Sequence, residues 1–65
     1  MDAVEITLQQ CVDAYNPHQN RDLYWRKVDR YLQIQIEAGR ITRDDARAIR
    51  ETLELEFGGG DIVPK

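Results

Sequence analysis

Apolar positions recur every three to four residues in three separate stretches of this chain, and residues that break or close helices stand between the stretches. In the first, Val4, Leu8, Cys11 and Tyr15 share one helical line with Val12 beside them. Asp2 suits the N-cap, and Asn16-Pro17 ends the run. Val4-Glu5-Ile6-Thr7-Leu8 also alternates and is β-branched, which would suit a strand over residues 3–8. Helix is favoured because the four-residue spacing continues through Gln9 and Gln10 to Tyr15.

Asn16-Pro17-His18-Gln19-Asn20 is a break with two candidate caps. Asn16 would start a helix with Pro17 at its first position, and Asn20 would start one later. The sequence predicts a second helix over Pro17–Ala38. Trp25, Val28, Leu32 and Ile36 form its core line, and Tyr24, Tyr31 and Ala38 the adjacent one. Leu23 and Ile34 lie further round. So wide an apolar arc exceeds what one partner helix covers, so this helix is expected to be central or to contact another chain. The third helix is predicted over Arg43–Phe57, with Ala46, Ile49, Leu53 and Phe57 as its core line and Leu55 left outside.

The joint between the last two helices carries the clearest local signal. Gly39 is placed to close a helix in the left-handed conformation, which costs a residue without Cβ nothing sterically. Thr42 suits an N-cap and Asp45 the acidic position of a capping box. Asp44 and Asp45 put negative charge at the positive end of the helix dipole. Ile41 is placed to pack on Ala46 as a staple. So short a connection folds the two helices back on each other. The expected fold is all-α: a small three-helix domain, residues 1–57, built on an antiparallel helical hairpin. Residues 58–65 are expected to form a Gly-rich linker and flexible tail.

Gly39-Arg40-Ile41-Thr42, followed by acids and an amphipathic helix, resembles the short SHOCT-type motif of bacterial proteins. That motif has the form Gly-x-Ile-Thr, acids, then a helix ending in Leu. The likeness covers about a quarter of the chain and is of a kind general to helix joints. The aromatic residue usual after the acids is missing, since Ala46-Arg47-Ala48 stand there. The resemblance implies no particular function.

Composition narrows the function classes. Sixty-five residues make one domain at most, with a modest core. A single cysteine, Cys11, excludes an internal disulfide and any CxxC pair, which favours a reducing cytoplasm. No apolar run approaches the length of a membrane span, and Met1-Asp2-Ala3-Val4-Glu5 lacks the basic start of a signal peptide. Net charge is −3 with 32% charged residues of both signs, an ordinary surface that argues weakly against nucleic acid as the main partner.

Candidate chemistry is sparse. Cys11 and His18 are the only soft metal ligands, short of what zinc needs, so no metal site is expected. There is no serine, and Cys11 falls on the buried stripe, so no catalytic or cofactor-binding residues are assigned. Gly58-Gly59-Gly60 follows a helix and runs into Asp61, so it is not a phosphate loop. The pair of helices around Gly39 fits a helix-turn-helix poorly, with Gln35 where a small residue is usual and Asp45 where an aliphatic is. In Tyr24-Trp25-Arg26-Lys27 the helical phase puts Trp25 in the core.

Two surfaces remain as candidates. Leu23, Tyr24, Tyr31 and Ile34 would form an apolar interaction patch on the second helix. Arg40, Arg43, Arg47 and Arg50 would form a basic stripe, unless Arg47–Glu51 and Arg50–Glu54 pair locally. The expectation is a non-enzymatic protein-interaction or regulatory module of small bacterial or phage type, cytoplasmic and self-associating as a dimer. The alternatives are a nucleic-acid-binding accessory protein using the arginine stripe, and a small acidic phage-type inhibitor. A short docking segment at Ile62-Val63-Pro64 is a further option. No membrane partner and no small-molecule substrate are expected.

Overall fold

The computed structural model describes residues 2–58, which form three helices: α1 (Ala3–Asp13), α2 (Arg21–Glu37) and α3 (Arg43–Phe57). The tail at 59–65, including the proposed docking segment, lies outside the described residues. Helix wins over strand at residues 3–8. Asp2 caps α1, its carboxylate accepting from Glu5 N at 2.9 Å.

α2 begins at Arg21, one turn later than the predicted Pro17. The reason is a competition between two asparagines. Asn16 Oδ1 accepts from His18 N at 2.9 Å, and Asn16 O from Gln19 N at 3.0 Å, so the first asparagine closes a turn. Asn20 is the cap, its side chain accepting from Leu23 N at 3.1 Å.

The joint follows the sequence closely. Gly39 has φ of 77°. Its N–H bonds Ile36 O at 2.9 Å and that of Arg40 bonds Gln35 O at 3.1 Å, the paired bonds of a Schellman stop. The residue after that glycine usually makes an apolar contact back to the helix. Here Arg40 Nη1 instead donates to the side chain of buried Gln35 at 3.0 Å. Thr42 and Asp45 form the full capping box. Ile41 and Ala46 are both buried in the core. Gly58, with φ of 84°, closes α3.

Contacts between α2 and α3 step outward from the joint, from Asp29 with Arg50 to Arg21 with Phe57, so the hairpin is antiparallel. α1 packs on both helices and approaches α3 most closely. No helix is central, because each touches the other two. The core joins Cys11 of α1, Tyr24, Trp25, Val28 and Leu32 of α2, and Ala46, Ile49 and Leu53 of α3, with Ile41 below the joint. Tyr15 stacks on Phe57 at 3.9 Å and meets Tyr24 edge-on at 5.3 Å. These rings close the end of the bundle opposite Gly39, and there Arg21 Nη2 donates to Phe57 O at 2.9 Å, a cation at the negative end of α3.

Candidate interaction surface

Of the four residues in the expected apolar patch, Tyr24 is not on the surface. It is 2% exposed and its hydroxyl donates to Cys11 O at 2.8 Å. Tyr24 lies at the edge of the α2 arc, and the C-terminal turn of α1 covers that edge. Cys11 O is among the last carbonyls of α1, which find no donor inside the helix. Ala14 N and Tyr15 N bond Gln10 O and Val12 O instead, and the phenol fills the vacant place.

The other three residues are accessible. Leu23 and Ile34 are each 47% exposed, and Tyr31 is half-buried against the core. Leu23 and Ile34 are eleven positions apart, three turns or roughly 16 Å along the axis. Lys27 and Arg30, both exposed, fall between them on the same line at the spacing i, i+4, i+7, i+11. The outer face of α2 is therefore aliphatic at both ends and cationic in the middle. Among the described residues, neither Lys27 nor Arg30 makes an ion pair. The apolar-patch reading overlooked these two cations, although the 4-3-4 spacing was legible in the sequence.

Beside this face, α1 and α2 splay apart around an open groove of about 230 Å³. Cys11 and Val28 contribute to its lining, with Gln10, Lys27 and Tyr31 among the other lining residues. Tyr24 and Tyr31, the two bulky side chains of α2 on this side, also line it. Burial pushes the Cys11 thiol up to about 11, so it is protonated at neutral pH and a poor nucleophile or metal ligand. His18 is exposed in the turn. Among the described residues no three His, Cys, Asp or Glu side chains gather in a cluster that would hold a metal, and no helix is long and apolar enough to cross a membrane.

The arginine stripe divides. Arg50 lies 4.6 Å over the Trp25 ring, bonds Asp29, and sits with Nε 3.1 Å from Glu54 Oε2, so it is a structural cation between α2 and α3. Arg40 is bonded to Gln35. Of the stripe, Arg43 and Arg47 remain exposed with neither a side-chain hydrogen bond nor an ion pair among the described residues. The local Arg50–Glu54 pair is present, and Asp29 across the hairpin joins it.

The outer face of α3 carries a second stripe at the same spacing: Asp44, Ala48, Glu51 and Leu55, all exposed. Leu55 stands out at 88% exposure. The sequence marks it as off the core line, and the fold leaves it uncovered. No family model matches this chain, and no curated protein and no solved structure matches it either.

Proposed function

We propose that this chain is a non-enzymatic protein-interaction module whose contact surface is the outer face of α2. The observation that carries this is the exposure of Leu23 and Ile34 on one line of a well-capped helix, with the α1–α2 groove alongside. Two aliphatic side chains three turns apart match the way one helix seats on another. The groove would accept a side chain from the partner, and its neighbours Lys27 and Tyr31 link it to the stripe. Nucleic-acid binding through the arginine stripe is the weaker reading. Arg40 and Arg50 are engaged inside the fold, and a net charge of −3 opposes approach to a polyanion.

The test is a tagged chain and its Leu23→Asp/Ile34→Asp variant, each incubated with lysate of the native host. The reading expects a protein retained by the wild type, whether a second copy or another chain, and lost by the variant. Identical retained sets, with both chains equally folded by circular dichroism, would sink it.

A further inference from the structure

The exposed stripes on α2 and α3 have the same 4-3-4 spacing and opposite character. On α2 the order is Leu23, Lys27, Arg30, Ile34, and on α3 it is Asp44, Ala48, Glu51, Leu55. Resting on the reading of α2 as the contact face, we infer that its occupant is the outer face of α3 from a second copy of this chain.

Charge decides between this and a two-fold dimer. Suppose two α2 helices met about a two-fold axis. An antiparallel register that puts Leu23 on Ile34 of the second copy also puts Lys27 on its Arg30. A parallel register puts each cation on its own equivalent. Both stack like charges at the centre of the contact, which is unfavourable. Laid antiparallel on α3 of a second copy, the same face stacks no like charges, and its Leu23 and Lys27 meet complementary groups. Leu23 then falls opposite Leu55, Lys27 opposite Glu51, and Arg30 opposite Ala48 with the two acids on either side, while Ile34 meets Asp44, the one unmatched pair. The symmetric spacing brings all four positions into register at once, and antiparallel helix dipoles favour this direction over the parallel one. The arrangement also gives the exposed Leu55 an apolar neighbour.

Such a contact is heterologous. One copy keeps a free α3 face and the other a free α2 face, so association continues past a dimer unless the rotation closes a ring. Four residues a side make a small interface, in the weak and transient range below about 1,200 Å². The contact is therefore expected at high protein concentration, and to weaken with salt because its centre is charged.

The experiment is sedimentation equilibrium from about 10 to 500 μM, a range set by the weakness expected of a contact this small. It uses the wild type, Lys27→Glu, Glu51→Lys, and an equimolar mixture of the two variants. Both positions are exposed and unpaired among the described residues, and circular dichroism checks that the variants fold. The inference expects a wild-type average mass that climbs past that of a dimer. Each single variant should weaken this on the order of tenfold, as the loss of a charged contact does. The mixture should regain it, because α2 of the first variant then matches α3 of the second. A wild type that stays monomeric, or single variants that associate normally, would overturn the inference. So would a mixture that fails to recover. If the pure chain is monomeric while Leu23→Asp/Ile34→Asp still loses a different host protein, the inference falls and the α2 contact face stands.

Discussion

Tyr24→Phe isolates a single atom of the fold. The ring stays, with its edge contacts to Tyr15 at 5.3 Å and Trp25 at 5.1 Å. Only the hydroxyl leaves, and with it the bond to Cys11 O. That carbonyl sits where α1 ends and receives no backbone N–H, since Tyr15 N bonds Val12 O instead. Residue 24 is 2% exposed and Cys11 3%, yet both line the open α1–α2 groove, so a groove water offsets part of the loss. A buried acceptor left without a donor costs about 1–3 kcal/mol, and here the cost falls toward the lower end. In a domain this small, 1 kcal/mol moves the midpoint by roughly 4–8 °C, and the expected fall in Tm is of that size. Thermal and urea unfolding would measure it, with Tyr31→Phe as the control. Tyr31 is half-buried and no hydrogen bond to its hydroxyl is present among the described residues, so its variant should match the wild type. Amide exchange should also quicken in the last turn of α1, which the bond ties to α2. A Tyr24→Phe chain within a degree or two of the wild type would refute the account of Tyr24 as the lock between those helices.

Four further outcomes follow from the same geometry. Gly39→Ala should cost about 1–2 kcal/mol, because φ of 77° is strained for any residue with a Cβ although open space surrounds the site. Thr42→Ala should cost about 1 kcal/mol by removing the acceptor for Asp45 N, and urea unfolding reads both. Stability should decline in alkali, because burial raises Cys11 from its ordinary 9.0 to about 11 and Tyr24 from 10.0 to about 12. The unfolded chain releases these protons first, so stability is full below about pH 9 and is lost as pH rises toward the folded values. Cys11→Ala should make the decline between pH 9 and 11 shallower in urea titrations, and an unchanged slope would remove Cys11 as a cause. Arg50→Ala should destabilise by roughly 1–2 kcal/mol, summing a cation over Trp25 with two partly exposed ion pairs, and should change Trp25 emission.

Local signals were legible in this chain, and distant ones were not. The joint could be read from Gly39, Thr42 and Asp45 because each acts within four residues of itself. The start of α2 was misplaced because Asn16-Pro17 and Asn20 offer the same local chemistry, and only the turn closed by Asn16 separates them. Periodicity placed Trp25, Val28 and Leu32 in the core correctly. It left Tyr24 ambiguous, because phase says which side of α2 a residue occupies and not where α1 ends over it. The i, i+4 pair of Arg50 with Glu54 was legible, but its bridge across the hairpin was not, since Asp29 is twenty-one residues away and Trp25 further. Gln35 looked like a misfit in a DNA-binding motif. It is the buried partner of Arg40 at the helix stop.

The cations of this chain therefore divide by what the fold asks of them. Arg21 closes the end of α3, Arg40 holds Gln35, and Arg50 bridges the hairpin. Each lies where two elements meet, so each is spent on structure. Lys27 and Arg30 lie on the outer face of α2, exposed and without an ion pair among the described residues, and they sit between two exposed aliphatics. Folding gains only part of the burial free energy of Leu23 and Ile34 at that place, because 47% of each remains in water. Leu55 repeats the pattern on α3 at 88% exposure, again with carboxylates on its own line. Exposed aliphatics flanked by opposite charge on two different helices are hard to account for by folding alone. They make sense if the two faces meet in an assembly, and the exchange of charge between Lys27 and Glu51 asks that question directly.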